Sequence, residues 1–370
     1  MKAIAIFPAT KEIQLIEHPE PHIEHPEQVK LRLLEVGVCG TDRHICALAF
    51  GNPPANYNYL ILGHEALAEV AAVGSAVTHL QPGDLVVPEV RRPCTDSTCR
   101  ACQAAHQDFC QTGNYTERGI QGLHGYMAEY VVDDARFLHP APAALRQVAV
   151  LTEPLTIAEK ALVQALQIQQ RLPWQTSAAT IEEPGRGLTA VVLGAGPIGL
   201  LGAMLFVTQG FDTYVYSRAQ TPNDKADIVE AIGATYISAE TTPIAKFKER
   251  VGQIDLVYEA MDAAPLAIEV LQNLSRNGIF IFTSGTNPSQ PFGIDSAASF
   301  HNLTSQNQVV IGTVNAGPAT FQSAIEHLEV FQQRWPTVLP KLITERYPMK
   351  RAAEVLLHKP GGIKHIVTIA

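Results

Sequence analysis

The sequence predicts an α/β protein in which a β-rich domain precedes a doubly wound parallel sheet. Up to about residue 150, short runs of alternating polar and apolar residues are separated by turn residues, a pattern typical of β-rich domains. From residue 188 onward, strand patterns alternate with helix patterns, which is the order expected of a parallel sheet. The first strand of this second part runs into a glycine-rich turn at residues 191–199. The 370 residues suffice for two domains with separate cores.

The composition is that of an ordinary globular protein, with 46% hydrophobic and 17% charged residues. The net charge of −9 argues against a nucleic-acid partner, because proteins that bind nucleic acids carry basic patches. The first residues lack the apolar core of a signal peptide, and no apolar run reaches the roughly 18–20 residues of a membrane span. We therefore expect a cytoplasmic protein with no membrane partner.

The first part of the chain carries four clear strand patterns, which predict a β-rich, barrel-like domain. Turn residues separate them, notably the Pro-Gly-Asp at 82–84 and the glycines at 122 and 125. The predicted strands are residues 28–37, 66–73, 84–90 and 126–132.

The pattern changes after Glu153. Residues 154–169 have apolar positions at helical spacing, and Pro154 suits the first turn of a helix. Residues 171–187 are rich in Pro, Gly, Ser and Thr and predict a surface connection. The predicted strands that follow are 190–193, 213–217, 236–237, 254–259, 279–283 and 309–313, with helices between them. We divide the chain into a first domain at 1–186, a second at 187–315, and a segment at 316–370 that returns to the first.

The glycine-rich turn predicts a dinucleotide site. Gly194 permits the tight turn, Gly196 lets the backbone approach a pyrophosphate, and Gly199 lets helix and strand pack closely. These glycines, with Ala195, Pro197 and Ile198, lead into an apolar helix. The free N–H groups at the start of that helix attract an anion. The alternative is an ordinary turn before a buried helix, which the flanking strand and helix disfavour.

The end of the second strand indicates which dinucleotide binds. An NAD site calls for an acidic residue there, to take the ribose 2′-hydroxyl, but this strand ends in Ser217 and Arg218. A hydroxyl and a guanidinium suit a 2′-phosphate, so we predict NADP as the preferred cofactor, with NAD possible. The alternative is that Arg218 is only a surface arginine, and Asp224 further along complicates the discrimination.

Four of the six cysteines form a cluster with the spacing of a zinc site. Four thiolates can close a tetrahedron around zinc, and such a closed site is structural. The alternative is a set of unrelated cysteines, but these lie among polar residues rather than in apolar core segments. A nucleic-acid-binding zinc ribbon does not fit the negative charge. The four are Cys94, Cys99, Cys102 and Cys110.

A second, dispersed set predicts a zinc site that leaves a position open for substrate. Cys39 follows a strand, His64 and Glu65 precede another, and Glu153 begins a helix. It is not a metalloprotease motif, because Ala68 stands where a second histidine belongs. From spacing alone, a lone Cys or His is more often a packing residue in the core.

With these motifs in place, the chain resembles the zinc-dependent medium-chain dehydrogenase/reductase family along nearly its whole length. Within that family it is most similar to the glucose (aldose) 1-dehydrogenases. The residues that carry the resemblance are GVCGTD at 37–42, GHE at 63–65, PGD at 82–84, VPEVRRPC at 87–94, DFC at 108–110, TG at 112–113, ERGI at 117–120, HGYM at 124–127, VLTEPL at 150–155, GAGPIG at 194–199 and VNA at 314–316.

The resemblance implies a GroES-like catalytic domain followed by a Rossmann domain. It implies catalytic zinc at Cys39 and His64, with Glu65 and Glu153 as further ligands or water-linked partners. It also implies that the four-cysteine cluster holds a structural zinc in a lobe at about residues 93–111. Four residues separate Cys94 from Cys99, where the wider family usually has two.

The resemblance further implies zinc-dependent oxidation of an aldose, D-glucose or D-galactose, at C1 to the lactone, with hydride transfer to NAD(P). Thr41 and His44 are the candidates for passing the proton, although His44 could equally be a surface histidine. Thr41, Glu117 and Glu153 are the expected sugar-binding residues. Glu89 and His301 are weaker candidates, with a solvated loop position slightly favoured for both. The expected nicotinamide-side residues are Thr283, Ser284, Gly285, Thr313 and Asn315.

Two other functions stay open at this point. A polyol or secondary-alcohol dehydrogenase would share the zinc chemistry, and a non-catalytic NADPH-binding protein would share the fold. The second predicts loss of the zinc ligands, yet Cys39, His64 and Glu65 are all present. Family members assemble through the nucleotide domain, which implies a homodimer or homotetramer here.

Overall fold

The computed structural model describes residues 1–261, 263–284, 293 and 295–370. They form two compact units. The first comprises Met1–Thr156 and Asn315–Ala370, and the second comprises Ile157–Val314. The sequence placed the first boundary at residue 186, after the polar connection, whereas the compact second unit begins earlier, within a long helix.

The first unit is built mainly from short strands. Between Glu65–Val73 and Gln28–Val38 the pairing is antiparallel, with Gly37 opposite Glu65. The predicted strand at 126–132 begins later, at Tyr130, because residues 126–128 make irregular hydrogen bonds to other loops. The strands are β1 Lys2–Phe7, β2 Glu12–Glu17, β3 Gln28–Val38, β4 Leu60–Ile61, β5 Glu65–Val73, β6 Leu85–Pro88, β7 Arg91–Arg92, β8 Thr116–Arg118, β9 Gly122–Leu123, β10 Tyr130–Asp134 and β11 Leu138–Pro140; the α-helices are α1 Gly40–Cys46 and α2 Arg100–Gln103.

The second unit is a six-stranded sheet in the order β14-β13-β12-β15-β16-β17, with every neighbouring pair parallel. This confirms the predicted doubly wound sheet, whose strand order reverses at β12. Helix α3 begins in the first unit and continues into the second. The elements are α3 Thr152–Gln169, β12 Thr189–Leu193, α4 Pro197–Thr208, β13 Asp212–Ser217, α5 Asp224–Ala231, β14 Thr235–Ser238, α6 Ile244–Val251, β15 Leu256–Glu259, α7 Ala264–Leu271, β16 Ile279–Phe282, α8 Ser296–Ser305 and β17 Val309–Gly312.

The last residues return to the first unit. They form α9 Pro318–Arg334, β18 Ile343–Pro348, α10 Ala352–Leu357 and β19 Lys364–Thr368. Strand β19 pairs antiparallel with β3, with His365 opposite Val38. The end of the chain therefore lies beside the end of β3, where Cys39 follows.

Buried strands fix the position of Cys39. Strand β3 lies between β5 and β19, and all of its last six residues, Leu33 to Val38, are buried. Each fully buried Leu or Val side chain contributes roughly 1.5–3 kcal/mol, so this segment is held firmly. Within the described residues, no helix combines the length and apolar character needed to cross a membrane.

Candidate metal and dinucleotide sites

Cys39 caps the first helix. Its Sγ accepts a hydrogen bond from the backbone N–H of Thr41 at 3.3 Å, and its own N–H donates to Asp42 Oδ2 at 2.8 Å. The two bonds form a capping box at the start of α1.

His64 and Glu65 lie next to this sulfur. The ligand atoms of Cys39, His64 and Glu65 all lie within 4.8 Å of one another. Gly37 makes this possible, because a Cβ at that position would overlap the Glu65 carboxylate. One sulfur, one imidazole and one carboxylate fit zinc, and three protein ligands leave a position open. Glu153, predicted as a fourth ligand, is not part of this set.

Asp42 orients the imidazole. It is fully buried, and its Oδ1 lies 3.4 Å from His64 Nδ1. Burial opposes the charged imidazole, but Asp42 and Cys39 outweigh it and raise the pKa of His64 well above its ordinary value. A bound metal ion would take the place of that proton, because a metal ligand must be a neutral imidazole. The sequence contained Asp42 within a motif but gave no sign of this role.

Lys364 is a site residue that the sequence did not reveal. It is 2% exposed, forms an ion pair with Glu65 Oε2, and donates to the carbonyl of Val38 at 3.1 Å. Burial disfavours its charge, but Glu65 and Cys39 raise its pKa above the ordinary value. A buried ammonium needs such partners.

Three further residues predicted for the catalytic site differ in pKa and in exposure to solvent. Burial raises the pKa of Glu153 to about 7; His64 opposes the rise and Glu65 adds to it. Thr41 is half-buried in the first turn of α1. His44 is exposed, with its ring 6.2 Å from that of Phe50.

The four cysteines of the lobe come together. Their sulfur atoms all lie within 4.8 Å of one another, so the longer spacing between the first two does not prevent a four-sulfur set. Burial opposes ionisation, but hydrogen bonds from Thr112 and Gly113 and the neighbouring Cys102 lower the pKa of Cys110 to about 6. Four convergent sulfur atoms fit a closed structural zinc site.

The predicted sugar-binding Glu117 is buried in β8 and held by two partners. Arg91 pairs with its Oε1 at 3.0 Å, and Asn315 Nδ2 donates to the same oxygen at 2.8 Å. Asn315 was predicted to line the nicotinamide. In the structure its side-chain amide donates to Glu117, the predicted sugar-binding carboxylate. Glu89 lies in the loop between β6 and β7, but the expected solvent exposure was wrong, because Glu89 is fully buried between Gln107 and His139.

In the second unit, the glycine-rich turn has the backbone that its predicted role requires. Gly194 has φ +103°, in the left-handed region that favours glycine. Gly196 precedes α4 in an extended conformation, and Pro197 is the first residue of the helix. A Cβ on Gly199 would overlap the carbonyl oxygen of Gly194. Ala195 and Ile198 complete the turn.

Ser217 ends β13 and Arg218 follows it, exposed to solvent. Within the described part of the chain, no carboxylate forms an ion pair with the Arg218 guanidinium. An exposed cation directly after the second strand is available to an anionic ligand.

A buried glutamate that the sequence did not single out organises the neighbouring strand ends. Glu259, at the end of β15, is 1% exposed and accepts hydrogen bonds from the backbone N–H groups of Thr283, Ser284 and Met261. Thr313 has a buried hydroxyl with no partner among the described residues. His301 is exposed on α8, and the predicted Gly285 lies outside the described residues.

Two family models together cover almost the whole chain. Residues 146–369 match "Glucose dehydrogenase C-terminus", and residues 25–143 match "Alcohol dehydrogenase GroES-like domain". The chain belongs to the zinc-type medium-chain dehydrogenase family. This confirms the family and the GroES-like plus Rossmann fold predicted from the sequence. As a medium-chain dehydrogenase, the protein is an oxidoreductase.

Relatives and structures within this dehydrogenase family match over their full length. A glucose 1-dehydrogenase of Thermoproteus tenax is 38% identical over 374 residues, covering 100% of this chain and 99% of the relative. A glucose 1-dehydrogenase of Methanocella arvoryzae is 36% identical over 370 residues, with the same coverage. The structure of Haloferax mediterranei glucose dehydrogenase in complex with NADP, Zn and gluconolactone superimposes with a TM-score of 0.86 at 32% identity, covering 100% of this chain and 99% of that one.

Proposed function

We propose that this protein oxidises an aldose, D-glucose or D-galactose, at C1 to the lactone, with zinc and with NADP as the preferred electron acceptor. The observation that carries the proposal is the set Cys39, His64 and Glu65, in a chain whose whole length matches glucose 1-dehydrogenases. The relative solved with NADP, Zn and gluconolactone supports the choice of substrate class and cofactor.

The chain's own side chains provide the machinery of the reaction. Zinc held by Cys39, His64 and Glu65 supplies Lewis acidity toward the reacting hydroxyl. Thr41, in the first turn of the helix that Cys39 caps, accepts the proton of that hydroxyl and passes it on. His44 is a second candidate for carrying the proton to solvent, because it is exposed on the same helix.

Two carboxylates bind the sugar. Glu117 is held rigidly by Arg91 and Asn315, and a rigid acceptor orients a hydroxyl well. Glu153, at the start of α3, is the second carboxylate, and its oxygens can accept from a sugar hydroxyl. A buried sugar hydroxyl left unpaired costs on the order of 1–3 kcal/mol, so both contacts favour a polyhydroxylated substrate.

The second unit binds the dinucleotide. The turn from Gly194 to Gly199 receives the pyrophosphate at the start of α4, and Ser217 and Arg218 receive the 2′-phosphate of NADP. Thr283, Ser284, Gly285 and Thr313 form the nicotinamide side in this proposal; Asn315, predicted with them, belongs to the first unit, where it donates to Glu117. The lobe cysteines hold a structural zinc.

A substrate panel tests the proposal. The purified protein is assayed with glucose, galactose, sorbitol and a secondary alcohol, each with NADP and with NAD, and zinc is measured in the same sample. Oxidation of glucose or galactose but not sorbitol, preferentially with NADP, supports it. Oxidation of sorbitol alone would make the protein a polyol dehydrogenase, and no oxidation by a zinc-loaded sample would refute dehydrogenase activity on these substrates. Cys39→Ser is the control that should lose activity.

The family resemblance supports an assembly through the nucleotide domain. We propose that the protein works in the cytoplasm as a homodimer or a homotetramer. Light scattering coupled to gel filtration measures the mass of the assembly, and a monomer at working concentration would contradict the proposal.

A further inference from the structure

Arg91 and Glu117 form a buried ion pair in which the guanidinium contacts one carboxylate oxygen, Oε1. They lie opposite each other in the β7–β8 pairing and are 5% and 8% exposed. The Arg91 Nε and Nη2 atoms both lie 3.0 Å from Glu117 Oε1. The guanidinium therefore binds a single oxygen of the carboxylate with both nitrogens, rather than one nitrogen for each oxygen.

Asn315 adds a second hydrogen bond to the same oxygen. Its Nδ2 donates to Glu117 Oε1 at 2.8 Å, while its Oδ1 accepts from the backbone N–H of Ala316 at 2.8 Å. Across the part of the chain that the structure describes, no donor reaches Glu117 Oε2, and that atom is not among the fully buried polar atoms without a partner. Oε1 is thus saturated, and Oε2 is the oxygen available to a ligand.

The guanidinium is itself held from two further directions. Its Nη1 donates to the carbonyl of Asp108 at 3.2 Å, and its central carbon lies 3.7 Å from the centre of the Tyr115 ring. Asp108 is two residues before Cys110, so the contact ties Arg91 to the four-cysteine lobe. A lysine can replace the charge of this group, but it cannot reproduce the planar fork or the stacking.

We propose that Arg91 is a positioning residue that sets the aldose specificity of Glu117. It turns the carboxylate so that Oε2 meets one sugar hydroxyl as an acceptor. This inference rests on the proposed function, in which Glu117 binds the sugar. An aldose lacking the matching hydroxyl is rejected, because the charged acceptor is then left unpaired.

The test uses the full-length enzyme with four variants: Arg91→Met, Arg91→Lys, Glu117→Gln and the double variant Arg91→Met/Glu117→Gln. Without the guanidinium, the Glu117 carboxylate is no longer held in one orientation. We therefore expect Arg91→Met to raise the KM for glucose about 10- to 100-fold, the range for one lost hydrogen bond to a charged group, with the KM for NADP unchanged. Arg91→Lys keeps a positive charge but not the planar fork, so it should weaken glucose binding as well.

The double variant distinguishes an effect of Arg91 on the position of Glu117 from an effect on folding. It removes both buried charges, so it should fold even where Arg91→Met alone does not. If Arg91 acts through Glu117, adding Arg91→Met to Glu117→Gln should change the glucose KM by less than about threefold, against 10- to 100-fold in the wild-type background. Discrimination between glucose and its single-deoxy and epimeric analogues should be lost in Arg91→Met. Arg100→Met, an exposed arginine of the lobe, is the matched control and should behave as wild type.

Two outcomes overturn the proposal. The first is full additivity of the effects of the two substitutions on the glucose KM. The second is an Arg91→Met variant with a lower kcat but with unchanged KM and unchanged discrimination among sugars. A wild-type enzyme that oxidises no aldose overturns the proposed function together with this one, whereas an active wild type with either of the two outcomes refutes only the role of Arg91.

Discussion

The carbonyl oxygen of Gly194 occupies the space where a side chain at Gly199 would begin, so a Cβ at residue 199 would overlap it. Gly196, which lies between these two residues, has space for a side chain. An added Cβ there meets no atom within 4 Å in the described part of the chain, and its φ of −84° suits any residue. Gly199 is therefore needed for close packing against the turn, whereas Gly196 leaves space in front of helix α4.

The two glycines should respond oppositely to alanine. Gly199→Ala should destabilise the second unit by about 1–3 kcal/mol through overpacking, and lower the unfolding temperature. Gly196→Ala should leave the unfolding temperature within about 2 °C of wild type, yet weaken NADP binding at least about tenfold, because the methyl group occupies space that the pyrophosphate needs. Thermal unfolding and calorimetric titration with NADP measure the two effects. A Gly196→Ala variant that binds NADP normally would show that the pyrophosphate lies elsewhere.

Arg218 should determine the preference for NADP. Replacing it with alanine removes a charge-assisted contact to the 2′-phosphate, worth roughly 1.5–3 kcal/mol. The KM for NADP should rise about 10- to 100-fold while the KM for NAD stays the same. Steady-state kinetics with both cofactors give the ratio. The control is Arg250→Ala, an exposed arginine on α6; an unchanged NADP preference in Arg218→Ala would make Arg218 a simple surface residue.

The lobe cysteines should be needed for metal content and stability. Cys102→Ser removes one of the four sulfur atoms that lie within 4.8 Å of one another, so zinc should fall from about two ions per chain to about one. The unfolding temperature should fall as well, because a structural zinc site contributes folding free energy. Cys46 belongs to neither metal set, so Cys46→Ser should keep both ions. Equal zinc in Cys102→Ser and wild type would argue against a metal in the lobe.

His124 should make the first unit less stable in mild acid. Its Nδ1 accepts a hydrogen bond from the N–H of Ile61 at 3.2 Å, and burial, with His18 and Arg118 nearby, lowers its pKa from 6.5 to about 4. Between these two values the unfolded chain binds more protons than the folded one, so stability is full above pH 6.5 and falls as the pH drops toward 4. Because the ring is partly exposed, the loss by about pH 5 should be on the order of 1 kcal/mol.

His124→Gln removes this titration while keeping an oxygen that can accept from Ile61. The drop in unfolding temperature between about pH 7 and about pH 5 should therefore be smaller in the variant than in wild type. His79→Gln, at an exposed position, should show the wild-type drop. An identical pH dependence in all three proteins would exclude His124 as the group responsible.

The metal donors were predictable, but the residues that hold them were not. Cys39, His64 and Glu65 stand in short motifs next to strand ends, and such motifs can be recognised locally. Lys364 cannot be found in this way, because it reaches Val38 and Glu65 only through the pairing of β19 with β3, across 326 positions of sequence to Val38. Glu259 was missed for a related reason: a glutamate at a strand end is ordinary until the backbone N–H groups of Thr283 and Ser284, directly after β16, donate to it.

The sequence by itself determined the order of β-rich and parallel-sheet parts, the glycine-rich turn, the four-cysteine cluster and the family. These depend on the periodicity of side chains and on spacings within a few residues, which strand and helix geometry fix. Only the tertiary structure decided which groups meet. Asn315 donates to Glu117 across 198 positions, and the choice of Oε1 over Oε2 depends on where Arg91 lies in its strand. Contacts of this kind follow from strand pairing between distant segments, which local patterns do not specify.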